Sequence, residues 1–179
     1  MNYLKEFTNS IICGNCLNVM EDIPDKSIDM ILCDLPYGTT KCKWDVIIPF
    51  DCLWEHYKRI IKPNGAIVLT ATQPFTSLLI TSNLAWFKYC WTWDKVTARE
   101  HLVAKIRPMQ QTEDIAVFGA KRINYYPQMI DRPSDKIEVR KTRECKRTEI
   151  MGGKKGVLKE KIYDKWYPKT IIKISNAGS

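Results

Sequence analysis

Three observations predict an α/β fold with an at least partly parallel sheet. Short aliphatic and β-branched runs alternate with segments of helical spacing, and Gly/Pro turns separate them. One such run, Ile28-Asp29-Met30-Ile31-Leu32-Cys33, stops abruptly at an acid, a proline and an aromatic ring. A buried parallel strand reads this way when its carboxyl end spills into a loop. In open α/β sheets ligands bind outside such strand ends.

The elements follow in order. Ile11-Ile12-Cys13 reads as a strand end, and Gly14-Asn15 as the turn into a helix from Leu17 to Ile23. The strand before Asp34 comes next. From Phe50 to Ile61, apolar residues Leu53, Trp54, Tyr57, Ile60 and Ile61 recur at helical spacing, with Glu55, Lys58 and Arg59 facing outward. Pro63-Asn64-Gly65 ends that helix and turns the chain. Strands are expected at Ala66–Ala71, Ala85–Trp93, Asp114–Phe118 and Thr170–Ser175, with a short helix at Pro74–Thr81.

The chemistry concentrates at Asp34-Leu35-Pro36-Tyr37-Gly38. A carboxylate, main-chain carbonyls steered by a proline and a ring able to stack are suited to gripping the exocyclic amine of a nucleobase. This segment resembles the Asp-Pro-Pro-Tyr motif of amino-directed DNA methyltransferases. The lead-in from Ile11 to Asp29, Gly38-Thr39-Thr40 with Trp44-Asp45, the passage Ile60 to Val68, Trp93-Asp94-Lys95 and Asp114 to Phe118 are also similar to that family. A tetrapeptide alone is weak; the ordered set over about 120 residues, in strand context, is specific. Leu35 departs from the motif's first proline; it keeps the carbonyl and loses the fixed φ.

The resemblance implies a partial Rossmann-like, S-adenosylmethionine-dependent methyltransferase sheet with an inserted basic target-recognition region. It implies methyl transfer to an exocyclic amine, of the kind found in restriction-modification systems. An Asp at the first motif position is associated with adenine N6 rather than cytosine N4. Asp34, Leu35, Pro36 and Tyr37 become the catalytic set, with Tyr37 stacking on a base flipped from the duplex. Asn15 stands where the family often carries an acid for the cofactor adenine, and Asp34 lies beside the cofactor. The partners implied are duplex DNA and S-adenosylmethionine, and with them either a homodimer or a complementary C-terminal half. In this family order a Gly-rich strand-to-helix turn follows the recognition region, and none of the eight glycines forms one. The expected organisation is therefore a catalytic half over 1–119, a recognition region over 120–168 and a return strand over 169–179, cut short.

Charge is unevenly spread. Residues 1–119 hold 12 Lys and Arg against 13 Asp and Glu, whereas 120–179 hold 16 against 7, within a chain total of +8. A confined positive surplus interleaved with Tyr125, Tyr126, Tyr163, Trp166 and Tyr167 points to a polyanion. The candidate phosphate contacts are Lys121, Arg122, Arg140, Lys141, Arg143, Lys146, Arg147, Lys154 and Lys155. Met151 to Gly156 reads as a flexible loop among them.

The remaining features set bounds. At 45% hydrophobic, 179 residues suffice for one core. No apolar run reaches membrane-spanning length, and the N-terminus has no signal pattern. Seven cysteines, with Cys33, Cys52 and Cys90 expected as small buried hydrophobes, fit a reducing cytoplasm. Cys13-Gly14-Asn15-Cys16 lacks a second ligand pair, so no metal is expected. Three readings stay in contention: an amino methyltransferase, a non-catalytic DNA-binding remnant or half of a split enzyme, and an unrelated RNA- or nucleotide-binding α/β domain.

Overall fold

The computed structural model describes residues 7–143 and 158–175. They divide into two units, one of residues 1–125 with 170–179 and one of 126–169. Residues 120–125 thus go with the first unit: Gly119 N–H donates to the Trp86 carbonyl (2.9 Å) and Asn124 N–H to the Asn64 carbonyl (3.0 Å). Lys121 and Arg122 therefore lie in the first unit rather than with the basic residues of 126–169.

In the first unit, helix α1 (Cys16–Glu21) is capped by Asn15, whose side-chain oxygen accepts from Leu17 N–H at 3.0 Å. Asx residues favour this position because they satisfy an orphan helix N–H. The expected strand at Ile11–Cys13 does not form; these residues are irregular and exposed. Strand β1 (Ile28–Asp34) follows, then helix α2 (Phe50–Ile60) and strand β2 (Ile61–Ala71).

Helix α2 buries Leu53, Trp54, Tyr57 and Ile60 as its spacing predicts, with Asp51 in the first turn and Lys58 and Arg59 in the last, matching the helix dipole. Arg59 is not simply outward. Its guanidinium donates to the Ile23 carbonyl (2.7 Å) and the Met20 carbonyl (2.6 Å) and pairs with Asp25 (2.8 Å), fastening the exit of α1. Pro63-Asn64-Gly65 forms an irregularity within β2 rather than a turn before it, since pairing jumps from Ile28 opposite Ile61 to Met30 opposite Ala66. Gly65 is required by this close approach: a Cβ there would lie 2.7 Å from the Asp29 carbonyl.

Helix α3 (Phe75–Ser82) leads to the long strands β3 (Phe87–Arg99) and β4 (Gln110–Phe118). The sequence places β3 two residues early and ends it six residues short, and it starts β4 four residues late. Both extensions carry polar residues that lack an apolar alternation but pair with each other as a hairpin. In the second unit, β5 (Ile130–Asp131) pairs with β8 (Lys165–Trp166), and β6 (Glu138–Arg143) with β7 (Leu158–Tyr163). Strand β9 (Ile171–Lys173) returns to the first unit and pairs with β3 in parallel.

The main sheet has the order β1-β2-β4-β3-β9. Pairs β1/β2 and β3/β9 are parallel, whereas β2/β4 and β3/β4 are antiparallel. Ile67, Leu69, Ala116 and Phe118 on one face meet Leu53, Trp54, Phe75 and Leu79 to form the core. Trp54 and Phe118 rings lie 4.9 Å apart, and the buried Trp54 indole N–H donates to Ser82 Oγ at 2.8 Å. Burying each such side chain contributes roughly 1.5–3 kcal/mol.

Strand β1 forms one edge of the sheet, with Met30 and Leu32 52% and 69% exposed on the face away from this core. Cys33 and Cys90 are half-buried as expected, but Cys52 is exposed because it falls on the outer side of α2. Among the described residues no cysteine pair is bonded, no cluster of potential metal ligands occurs, and no helix is long and apolar enough to cross a membrane.

Candidate active site

Register brings the site together. Asp34, last in β1, stands opposite Thr70 in β2, and β2 pairs with β4 just beyond it, Ala71 opposite Asp114. Glu113 in β4 therefore sits beside Thr70 at the same sheet end. Into this corner the loop after β1 swings Tyr37. Its hydroxyl lies 2.6 Å from Asp34 Oδ1, 2.8 Å from Thr70 Oγ1 and 2.9 Å from Glu113 Oε1. The Thr70 hydroxyl also donates to Asp34 Oδ1. Burial and the Asp34 and Glu113 carboxylates raise the Tyr37 pKa, so the phenol stays protonated. Glu113 is buried and ion-paired with Lys95 of β3, whose ammonium lies 4.6 Å from the centre of the Trp93 ring.

The Tyr37 ring packs on Phe75, centroids 5.1 Å apart and tilted by 32°. The sequence presents Tyr37 as a free stacking platform; in the structure its ring is backed by the core and its hydroxyl anchored in a polar cluster. Leu35 is buried in the core. A leucine at this position has a packing role that a proline would fill less well.

The opposite wall is the loop 38–45. Gly38 has φ +67°, a conformation that costs a residue with a Cβ. Gly38 N–H donates to Asp45 Oδ1 at 2.8 Å and Thr40 N–H to Oδ2 at 2.7 Å. The Thr40 hydroxyl, with these amides, holds the Asp45 carboxyl at about 2, below the usual carboxylate range. A folded-state pKa below the unfolded one stabilises at neutral pH, and that support is lost as pH falls from about 4 through about 2. Asp34, Leu35, Pro36, Tyr37, Thr39, Thr40, Trp44 and Asp45 together line a cavity of about 380 Å³.

One prediction follows for this wall. Asp45→Ala should speed tryptic cleavage at Lys41 and Lys43 at least about tenfold, since it removes the charge-assisted hydrogen bonds from the Gly38 and Thr40 amides together. An unchanged cleavage rate would show that the loop does not depend on Asp45.

The remaining candidates are dispersed. Asn15 caps α1, and its oxygen retains a second lone pair. Arg140 pairs with Glu138 and lies 5.3 Å from the centre of the Tyr163 ring; Lys141 pairs with Glu160 at 3.7 Å. Arg132 bonds Glu138 at 3.0 Å and approaches the Trp166 ring at 5.7 Å. The second unit is thus a ribbon of cations resting on aromatic rings and exposed carboxylates. The Arg143 side chain, Lys146, Arg147, Lys154 and Lys155, and the loop from Met151 to Gly156, lie outside the described residues. Thr70, Glu113, Lys95 and Asp45 are not singled out by the sequence. Trp44-Asp45 and Trp93-Asp94-Lys95 belong to segments of family similarity, but the Lys95–Glu113 pair depends on strand register and the Asp45 contacts on how the loop 38–45 folds.

No family model matches the chain. Over 77 residues it is 30% identical to the type II methyltransferase M.BglII of Bacillus subtilis, a match spanning 37% of this chain and 20% of that protein. The PvuII DNA methyltransferase (cytosine-N4-specific) superposes with a TM-score of 0.57 at 13% identity, covering 95% of this chain and 58% of its own. The M1.HpyAVI complex with S-adenosylmethionine gives 0.48 at 17% identity, over 70% of this chain and 60% of that one. The chain thus spans a fifth of M.BglII and 58% of the PvuII enzyme. It shares the mixed α/β, partial Rossmann-like fold of PvuII DNA methyltransferase and is similar in sequence to a type II DNA methyltransferase.

Proposed function

We propose that this chain is the catalytic and target-recognition portion of a DNA methyltransferase acting on the exocyclic amine of a base, adenine N6 in preference to cytosine N4. The observation that carries the proposal is the Asp34–Tyr37 segment at the carboxyl end of β1, its carboxylate and ring fixed beside a cavity in the fold that PvuII DNA methyltransferase shares.

S-adenosylmethionine would supply an electrophilic methyl group on a positively charged sulfonium. The acceptors present fit such a group: the Asp34 carboxylate at the site, and Asn15 with one lone pair to spare. Asp34 and the Leu35 main-chain carbonyl accept hydrogen bonds from the target amine and orient its lone pair. Positioning of this kind, together with stabilisation of positive charge developing on nitrogen, is the main contribution asked of the protein. The amine proton becomes acidic as the new bond forms, so Asp34 takes it without being a strong base. Tyr37, rigidly backed by Phe75, offers its outer face to the extruded ring, a contact worth roughly 1–3 kcal/mol.

Unit 126–169 is proposed as the DNA-contacting region. Its cations would release counterions on binding, giving affinity that falls steeply with salt. A second reading, in which the activity needs a complementary polypeptide, is supported by β1: among the described residues it is an edge strand, with Met30 and Leu32 exposed, and so has backbone groups to offer another chain. Incubation with duplex DNA and methyl-labelled S-adenosylmethionine, followed by nucleoside analysis, tests the proposal. N6-methyladenine is the expected product. N4-methylcytosine would reassign the base, and label in RNA but not DNA would overturn the substrate class. DNA binding without cofactor binding or product would favour a remnant or a split enzyme.

A further inference from the structure

The β3–β4 hairpin runs past the end of β2, with β9 beside β3 as far as Asp94. Trp93 opposite Glu113, Asp94 opposite Thr112 and Arg99 opposite Gln110 continue beyond Ala71, the end of β2. At about 3.3 Å per residue this overhang is on the order of 10 Å. It leaves from the sheet end that carries Asp34, and its base is tied to that site through Glu113 and Tyr37.

The tip is ordered and presents apolar groups outward. Glu100, at φ +67°, opens a short 3-10 turn over His101–Val103. Ile106 and Arg107 N–H both donate to the Val103 carbonyl, at 2.9 and 3.0 Å, and Arg107 closes on Glu100 at 2.8 Å. This framework leaves Leu102 93% and Ile106 86% exposed, while Arg99 and Lys105 stand exposed around them. Large aliphatic side chains held in full contact with water by a built turn mark a contact surface. Cations flanking aliphatic wedges match a polyanion whose interior is a stack of flat rings.

We propose that Leu102 and Ile106 insert into the base stack of duplex DNA and hold the gap from which the target base leaves. The wedge rests on the amine-transfer reading of Asp34, since only extrusion of a base creates a gap beside that site. Its energetic logic is that the apolar side chains replace stacking lost when a base departs, while Arg99 and Lys105 hold the adjoining phosphates.

The test uses fluorescence anisotropy with an intact duplex and with the same duplex carrying one central abasic site, a gap already open. The chain should prefer the abasic duplex by about tenfold, roughly 1.4 kcal/mol. Leu102→Ala/Ile106→Ala should reduce that preference to under about twofold with intact-duplex affinity nearly unchanged. Arg99→Ala/Lys105→Ala should instead weaken both duplexes and flatten the salt dependence. Both apolar side chains are exposed, so their truncation leaves the fold intact. No preference in the parent chain, or one that survives the double truncation, would overturn the wedge. So would a change in sedimentation mass on truncation, which would make the patch a contact between copies of this chain. A parallel Asp34→Ala arm separates the two ideas: continued methylation by that variant sinks the transfer reading and leaves the abasic-site result standing.

Discussion

Asp34→Ala should lower methyl transfer by about 100-fold or more, the scale of removing one preorganised electrostatic partner from a reacting group. The loss should fall on turnover rather than on DNA affinity, because the role proposed for Asp34 is contact with the amine and most of the proposed phosphate contacts belong to residues 126–169. Asp34→Asn keeps one acceptor oxygen while losing the charge, so it should retain more activity than alanine. Its amide also gives Thr70 a neutral neighbour where the hydroxyl now donates to a carboxylate. Rates with labelled cofactor, measured beside DNA affinity for each variant, check this. Turnover of Asp34→Ala within a few-fold of the parent would end the assignment.

Tyr37→Phe should be damaging, contrary to what a purely stacking ring implies. The phenol oxygen is held among Asp34, Thr70 and Glu113, and deleting it removes the group that joins them. A lost part-buried hydrogen bond of this type costs about 1–2 kcal/mol, or a few degrees in Tm for a chain of this size. Turnover should fall about tenfold as the ring gains freedom, a loss equivalent to roughly 1.4 kcal/mol. Tyr37→Ala should go further, since it also removes the packing on Phe75. If Glu113 acts through the hydroxyl, Glu113→Gln will cost little more in a Tyr37→Phe background, and a double-mutant cycle reads that coupling directly. Additive losses would instead give Glu113 a separate role in the Lys95 ion pair. Tyr37→Phe matching the parent in Tm and turnover would return Tyr37 to stacking alone.

The site's first half was legible in the sequence and its second half was not. Asp34 to Tyr37 follow a strand directly, so their placement at a sheet edge can be read from an apolar run and its abrupt end. The face of α2 was equally plain, because helical spacing of Leu53, Trp54, Tyr57 and Ile60 is a local signal. Glu113 is 76 residues from Tyr37, and the two meet only because β4 runs antiparallel beside β2 in a particular register. Nothing in the local pattern of Gln110 to Asp114 announces that pairing. The stretch before α1 failed for a related reason: two isoleucines look like a strand, but in the structure they pair with no other strand. Tyr37 was recognised for its ring, whereas its hydroxyl partners are all set by tertiary structure.

The two walls of the cavity should differ in how readily they open. One is stitched across three adjacent strands, β1, β2 and β4, by Tyr37, so loosening it means parting strands of the main sheet. Amide hydrogens there should exchange only through near-global unfolding. The other is a short loop whose amides fold around a single carboxylate, Asp45, so its opening should leave the strands paired. In native-state hydrogen exchange the amides of Gly38 and Thr40 should therefore be lost early, while those of Leu69 to Ala71 persist. A cavity with one rigid jaw and one yielding jaw can hold the reacting atoms still and yet admit and release what it grips.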